Sequence, residues 1–243
     1  MSRHEHGMKE MEASGRGEDG VSGAAQVDVA GLVLAGGQAR RMGGVHKAFV
    51  ELDGRPLMEH VLERLRPQVS RLLVSANAQV DRLAALPGVD AVLPDVVPGF
   101  AGPLAGVLSG LEWLRRESPD TRWMLSVAVD MPFLPRDLCA RMLAVASGAV
   151  ADAAPETGGE QQCKAVPVVA AGGGRLHPVV VLWPVALAEP LREALARGVR
   201  KVLDFLQVHD VVVARLAEDD AEPFFNINTQ EDLQRAGELL RSR

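Results

Sequence analysis

The sequence predicts an α/β fold, a mostly parallel central sheet flanked by helices, in one domain running from Asp28 to Arg243. From Asp28 to about residue 150, short apolar runs alternate with amphipathic segments, the order that builds parallel strands joined by crossover helices. The run Trp123–Val129 is apolar at all but Ser126, so both of its faces need cover. A chain of 243 residues, 47% hydrophobic and 24% charged, is long enough to bury one substantial core. Residues 1–27 contrast with the rest. They are rich in Gly, Glu, Ser and His and are expected to form a disordered tail, having too little apolar surface to offset the entropy of ordering.

The elements follow in order. Val29–Leu34 reads as a buried strand ending in a glycine loop. Pro56–Gln68 is a helix, with Leu57, His60, Val61, Leu62 and Leu65 at three-to-four spacing and Pro56 in its first turn. Arg71–Ala76 is a strand, Gln79–Leu86 a short helix, Val89–Leu93 a strand, Pro103–Arg116 a helix, and Pro135–Ala146 another helix. Beyond residue 150 the pattern changes. Ala165–Ala171 and Arg175–Leu182 flank Gly172-Gly173-Gly174, a triglycine suited to a hairpin turn because glycine adopts positive φ freely. Val185–Arg197 and Val199–Val208 read as helices, Asp210–Leu216 as a strand and Phe224–Asn228 as a last strand. Helix Thr229–Arg241 closes the chain, with Thr229 as N-cap and Asp232 three residues on. Pro155–Gln162 reads as a loop insertion.

Composition excludes several functions. The net charge of −6 repels nucleic acid, and with no Tyr and few Phe or Trp there is no stacking platform for single strands. No segment reaches the ~18 apolar residues of a membrane helix. The N-terminus lacks the apolar core of a secretory signal. Cys139 and Cys163 form no CxxC pair, and a reducing cytoplasm is the expected setting. Positive charge is local instead. Val29–Val50 holds no Asp or Glu but carries Arg40, Arg41 and Lys47, and Gln161–Ala188 is also acid-free, with Lys164, Arg175 and His177.

The glycine loop after the first strand, with two arginines and a lysine, is chemically a phosphate cradle: backbone N–H groups approach an anion and the basic side chains balance it. It is neither GxxxxGK[ST] nor GxGxxG. Asp130 stands at the carboxyl end of a central strand, where open α/β sheets bind ligands, and a carboxylate there suits Mg²⁺ on a nucleotide's phosphates as well as a turn before proline. Gly102 and Gly106 leave one face of a helix bare, for a ligand or for packing. Asn226 and Asn228 flank an apolar Ile227, which on a strand puts both amides on one face.

Taken in order, LAGGQARRMGGVHK, GRPLMEHVLERLRPQV, SAN, PGFAGPLAG, VDMPFLPRDL, HPVVVLW, GVRKVLDF and FFNINTQEDL resemble the molybdenum cofactor guanylyltransferases from about Gly31 to Leu240. The resemblance implies a single Rossmann-like nucleotidyltransferase domain that moves GMP from GTP to the phosphate of molybdopterin and releases pyrophosphate. It implies that Leu34, Ala35, Gly36, Lys47, Asn77 and Asp95 contact GTP, and that Asp130 binds Mg²⁺ and nucleotide. Lys47, Arg41 and Asp130 are the implied catalytic residues. Gly44, Gly106 and Asn228 fall near the reacting groups, and His177, Arg200 and Lys201 toward the acceptor. Proteins that donate the cofactor or chaperone molybdoenzymes are the implied partners. Two positions depart from the family pattern: His46 where an Asp is common before the lysine, and Gln230 where Pro follows NxNT. A CTP-dependent transferase on the same or another phosphorylated acceptor, and a non-catalytic carrier of nucleotide or molybdopterin, are the alternative readings.

Overall fold

The computed structural model describes residues 9–12, 28–36, 46–96, 102–153, 165–216 and 223–242. Ten strands occur among them: β1 (Lys9–Glu12), β2 (Val29–Leu34), β3 (Glu51–Leu52), β4 (Arg55–Pro56), β5 (Arg71–Ser75), β6 (Ala91–Leu93), β7 (Trp123–Ala128), β8 (Val168–Gly172), β9 (Arg175–Pro184) and β10 (Val212–Arg215). The seven α-helices are α1 (Leu57–Leu65), α2 (Val80–Ala84), α3 (Pro103–Glu117), α4 (Leu138–Ala153), α5 (Ala188–Ala196), α6 (Val202–Leu206) and α7 (Gln230–Arg241).

Eight strands form one sheet in the order β1-β10-β8-β9-β7-β2-β5-β6, and β3 pairs with β4 in a separate hairpin. All neighbours in the large sheet run parallel except β9, which is antiparallel to both β8 and β7. The expected mostly parallel sheet is therefore present, with the triglycine hairpin inserted into it. Gly173 and Gly174 turn that hairpin at φ 57° and 72°, which glycine adopts without a Cβ clash. One apolar layer, with Val61 and Leu65 of α1 and Met142 of α4, covers one face. The other face lies under Leu104, Leu108 and Leu111 of α3, Leu191 of α5 and Phe205 of α6. A smaller cluster seats α7 on the β3–β4 hairpin through Leu52, Ile227 and Ala236. Ser126, the one polar residue of β7, is fully buried and satisfied: it accepts from Trp183 Nε1 at 2.9 Å and donates to the Val179 carbonyl at 2.9 Å.

Three expectations change. Lys9–Glu12 lies in the segment expected to be disordered, yet it pairs in parallel with β10. The edge of β10 presents unpaired backbone groups, and main-chain pairing there needs no apolar side chains, so composition gave no sign of it. Residues 1–8 and 13–27 lie outside the described residues, as does Pro155–Gln162. Phe224–Asn228 is not a strand, because the Ile227 N–H donates to the Asp130 carbonyl at 3.0 Å instead of to a ladder. The helix expected at Pro135–Ala146 starts at Leu138 and runs on to Ala153, through Gly148 but past no proline, because the alanines around that glycine favour helix.

The terminal cap is as expected. Asp232 N–H donates to Thr229 Oγ1 at 3.1 Å and the Thr229 N–H to Asp232 Oδ2 at 2.8 Å. The Asn228 N–H, followed by the Thr229 N–H, holds the Asp232 carboxyl below the usual carboxylate range. A carboxyl depressed by folding stabilises above its unfolded pKa, and that contribution is lost as pH falls through the depressed value. Thr229→Ala is expected to cost about 1 kcal/mol, read as a lower urea midpoint at neutral pH.

Candidate active site

The carboxyl ends of β2, β5, β6 and β7 open on one edge of the sheet. The chain runs from β2 outward to β5 and β6, then returns to place β7 on the other side of β2. That reversal opens a crevice, the place where parallel α/β sheets bind ligands. Leu34 and Ala35 sit at its floor, pinned by Ala35 N–H to the Ser75 carbonyl at 2.9 Å and Val129 N–H to the Leu34 carbonyl at 3.2 Å. Gly36 is exposed, with open space where a Cβ would point. Arg41 and Gly44 lie outside the described residues.

Two groups of expected residues meet. Asn77, after β5, and Asp95, after β6, bind each other: Asn77 Nδ2 donates to Asp95 Oδ2 at 2.8 Å and the Asp95 N–H to Asn77 Oδ1 at 2.9 Å. The loop carrying Asp95 is tied to α3, since Ser109 Oγ donates to the Pro94 carbonyl at 2.8 Å and accepts from the Val96 N–H at 3.1 Å. Across β2, Lys47 joins the other group. It stands in a single 3-10 turn, Lys47–Phe49, and its ammonium donates to Asp130 Oδ2 at 2.6 Å and to Asn228 Oδ1 at 2.7 Å. The Lys47 and Asp130 side chains are 13% and 17% exposed, enough burial for the pair to resist screening by salt. Asn228 is aimed from behind, because its N–H donates to Asp232 Oδ2 at 2.8 Å.

Asp130 Oδ1 is buried and has no hydrogen-bond partner. A bare buried carboxylate oxygen is costly, and at a ligand edge it fits a cation that takes one protein carboxylate and otherwise phosphate and water. Among the described residues no three His, Cys, Asp or Glu gather, so a cation held here depends on few protein ligands. His46, in place of an acid, leans on Phe49 with ring centroids 5.8 Å apart, and burial lowers its pKa. It removes a negative charge from the family pattern without adding a positive one at neutral pH.

The remaining expected residues are spread along the same edge. Arg200 Nη1 donates to the Leu195 and Val199 carbonyls, both at 2.8 Å, and so closes the end of α5. Its own carbonyl lies 3.7 Å from the Cβ position of Gly102, at the start of α3, and the exposed Lys201 follows. Gly106 does not face open space: a Cβ there would meet Ser75 Oγ at 2.2 Å. His177 is 4% exposed, with Nε2 donating to the Gly172 carbonyl at 3.1 Å and its ring 4.4 Å from that of Phe224. It supports one wall of a cleft of about 380 Å³ between the β8–β9 turn and Pro223–Phe225, with Arg175 and Arg235 at its rim. Sequence reasoning missed Asp232 as the anchor of Asn228, and it missed this cleft. The acid-free stretch containing Arg175 was the one signal available for the cleft.

Residues 31–213 match the MobA-like NTP transferase domain. The chain is 46% identical over 212 residues to a molybdenum cofactor guanylyltransferase of Bradyrhizobium sp., covering 87% of this chain and 92% of that one. A protein of the same name from Cereibacter sphaeroides is 44% identical over 211 residues, 87% of this chain and 96% of that one. Among solved structures, molybdopterin-guanine dinucleotide biosynthesis protein A from Archaeoglobus fulgidus superposes with a TM-score of 0.66 at 25% identity, over 88% of this chain and all of the other. Fold, crevice and sequence agree, and the chain belongs to the MobA-like NTP transferase family.

Proposed function

We propose that the protein transfers GMP from GTP to the phosphate of molybdopterin, forming the guanine dinucleotide cofactor and pyrophosphate. The observation that carries this reading is the Lys47 ammonium shared by Asp130 and Asn228 at the seam of the crevice. On one side lies the Asn77–Asp95 pair, on the other the basic cleft at the β8–β9 turn. The choice of guanine and of molybdopterin rests on the names of the relatives.

In the transfer, an ionised acceptor oxygen forms the new bond to the α-phosphorus as the bond to the bridging oxygen breaks, and the electron pair leaves with pyrophosphate. The attacking phosphate is already charged, so no side chain has to remove a proton. The protein's contribution is position and charge. Lys47 and, by the family resemblance, Arg41 offset the triphosphate, with the backbone of Gly36, exposed at the end of β2, near it. Asn77 and Asp95 fix the nucleoside side. Arg175 and Arg235 at the cleft rim, and Arg200 and Lys201 at the start of α6, make the acceptor side positive, and His177 holds the hairpin in place. Asp130 would hold Mg²⁺, which when bound draws negative charge from the phosphates. A cytoplasmic setting belongs to the same reading; Cys139 is buried, and burial pushes its thiol up to about 11, which leaves it unreactive. Hand-over of the product to cofactor-donating or chaperone proteins belongs to the same reading.

Pyrophosphate release tests it. With Mg²⁺ and molybdopterin, GTP is expected to support release and CTP is not. Equal or faster release with CTP would keep the mechanism and overturn the base, whereas GTP binding without release would leave a carrier.

A further inference from the structure

Lys47 faces two demands. A phosphate-binding lysine must reach the triphosphate, yet its ammonium donates to Asp130 at 2.6 Å and to Asn228 at 2.7 Å. Two side-chain oxygens from distant parts of the chain thus converge on one positive centre. Asp130 keeps a second, buried oxygen with no partner, and Asn228 is held on station by Asp232. Such a pair of oxygens is also a pair of ligands for a hard cation.

We infer that the Lys47 ammonium and a divalent cation compete for the same oxygens of Asp130 and Asn228, and that the cation on binding displaces the ammonium and frees it for the triphosphate. The inference rests on the reading that Asp130 holds the metal. The backbone beneath Lys47 is fixed by Phe49 N–H to the His46 carbonyl at 2.9 Å and Val50 N–H to the Lys47 carbonyl at 3.2 Å, so only the four-carbon stem has to swing. A dication on Asp130 repels the ammonium, and the polyanion arriving with it attracts the ammonium. Metal and lysine therefore compete until nucleotide is present, and metal and nucleotide each favour the other's binding.

Mn²⁺ binding to the nucleotide-free full chain, followed by electron paramagnetic resonance, tests this apart from activity. Lys47→Met is expected to bind Mn²⁺ about 10-fold more tightly than wild type, within the usual range of coupling between two sites. Adding Asn228→Ala to Lys47→Met is expected to cancel most of that gain. Equal binding by wild type and Lys47→Met overturns the inference. So does a gain that survives intact in the double variant, since loss of charge alone would then explain it. Mn²⁺ binding undiminished in Asp130→Asn removes the metal assignment itself, which tells the two failures apart. A second readout needs no variant. The chain has four lysines, so reductive methylation can be followed at each by peptide mass. Mg²⁺ without nucleotide is expected to speed modification of Lys47 several-fold and leave Lys201 unchanged. A Lys47 rate unmoved at Mg²⁺ levels that displace bound Mn²⁺ overturns the inference.

Discussion

Asp130→Asn is expected to lower GTP-dependent pyrophosphate release by about 10²–10³-fold, the usual cost of removing one preorganised electrostatic group from a site that stabilises transition-state charge. The substitution keeps size and shape, and an amide oxygen can still accept from Lys47, so circular dichroism should show the native fold. What is lost is the formal charge that pairs with Lys47 at 2.6 Å and that is proposed to hold the cation. The loss should fall on kcat more than on KM for GTP, because charge builds up on the phosphates as the bond to pyrophosphate breaks. Lys47→Met should lower release by a comparable factor. The two should not multiply: the side chains touch, and once one is gone the other no longer has its partner. A double variant as slow as the product of the single losses would mean that Lys47 and Asp130 act separately. A folded Asp130→Asn at wild-type rate would end the metal role of this carboxylate.

The parts of this site differ in how far local sequence could reveal them. Val29–Leu34 and Trp123–Ala128 were visible because a strand buried on both faces leaves a nearly continuous apolar run, broken in the second only by Ser126. The Thr229–Asp232 box was visible because its partners lie three residues apart. The hairpin turn was visible in its glycines, but the lodging of β9 between β8 and β7 was not. Strand order is settled by packing among segments far apart in the chain. Lys47 lies 83 residues from Asp130 and 181 from Asn228, so chemistry could nominate each residue while only the sheet order brings them together. Asp232 read as a helix cap and is one. Its hold on the Asn228 N–H depends on the irregular path of Phe224–Asn228, which was misread as a strand because Ile227 is apolar and its neighbours are polar. Main-chain pairing of Ile227 to Asp130 leaves no mark in side-chain periodicity.

Gly106→Ala is expected to cost about 1–3 kcal/mol, the range for overpacking a filled core. From the sequence, bare Gly106 suited a ligand and a close helix–sheet approach equally well. The structure shows the approach. A Cβ would meet Ser75 Oγ at 2.2 Å, Ser75 Cβ at 2.9 Å and Leu34 Cδ2 at 3.0 Å. The leucine can give at the end of its side chain, but Ser75 Cβ is fixed to the strand backbone. Relief must come by moving α3 away from β5. Ser75 leads into Asn77 and Leu34 into Ala35 and Gly36, so that shift disturbs both loops proposed to hold the nucleotide. The urea midpoint should fall and KM for GTP should rise together. Ser75→Gly removes both offending serine atoms, and in the double variant it should recover part of the stability lost. Glycine's own entropic cost in a strand keeps the recovery incomplete. The alternative, a direct acceptor contact at Gly106, makes the opposite forecast: an unchanged urea midpoint, an unchanged KM for GTP, a raised KM for molybdopterin and no rescue by Ser75→Gly. Since one position cannot satisfy both patterns, the rescue decides between packing and acceptor contact even if both variants lose activity.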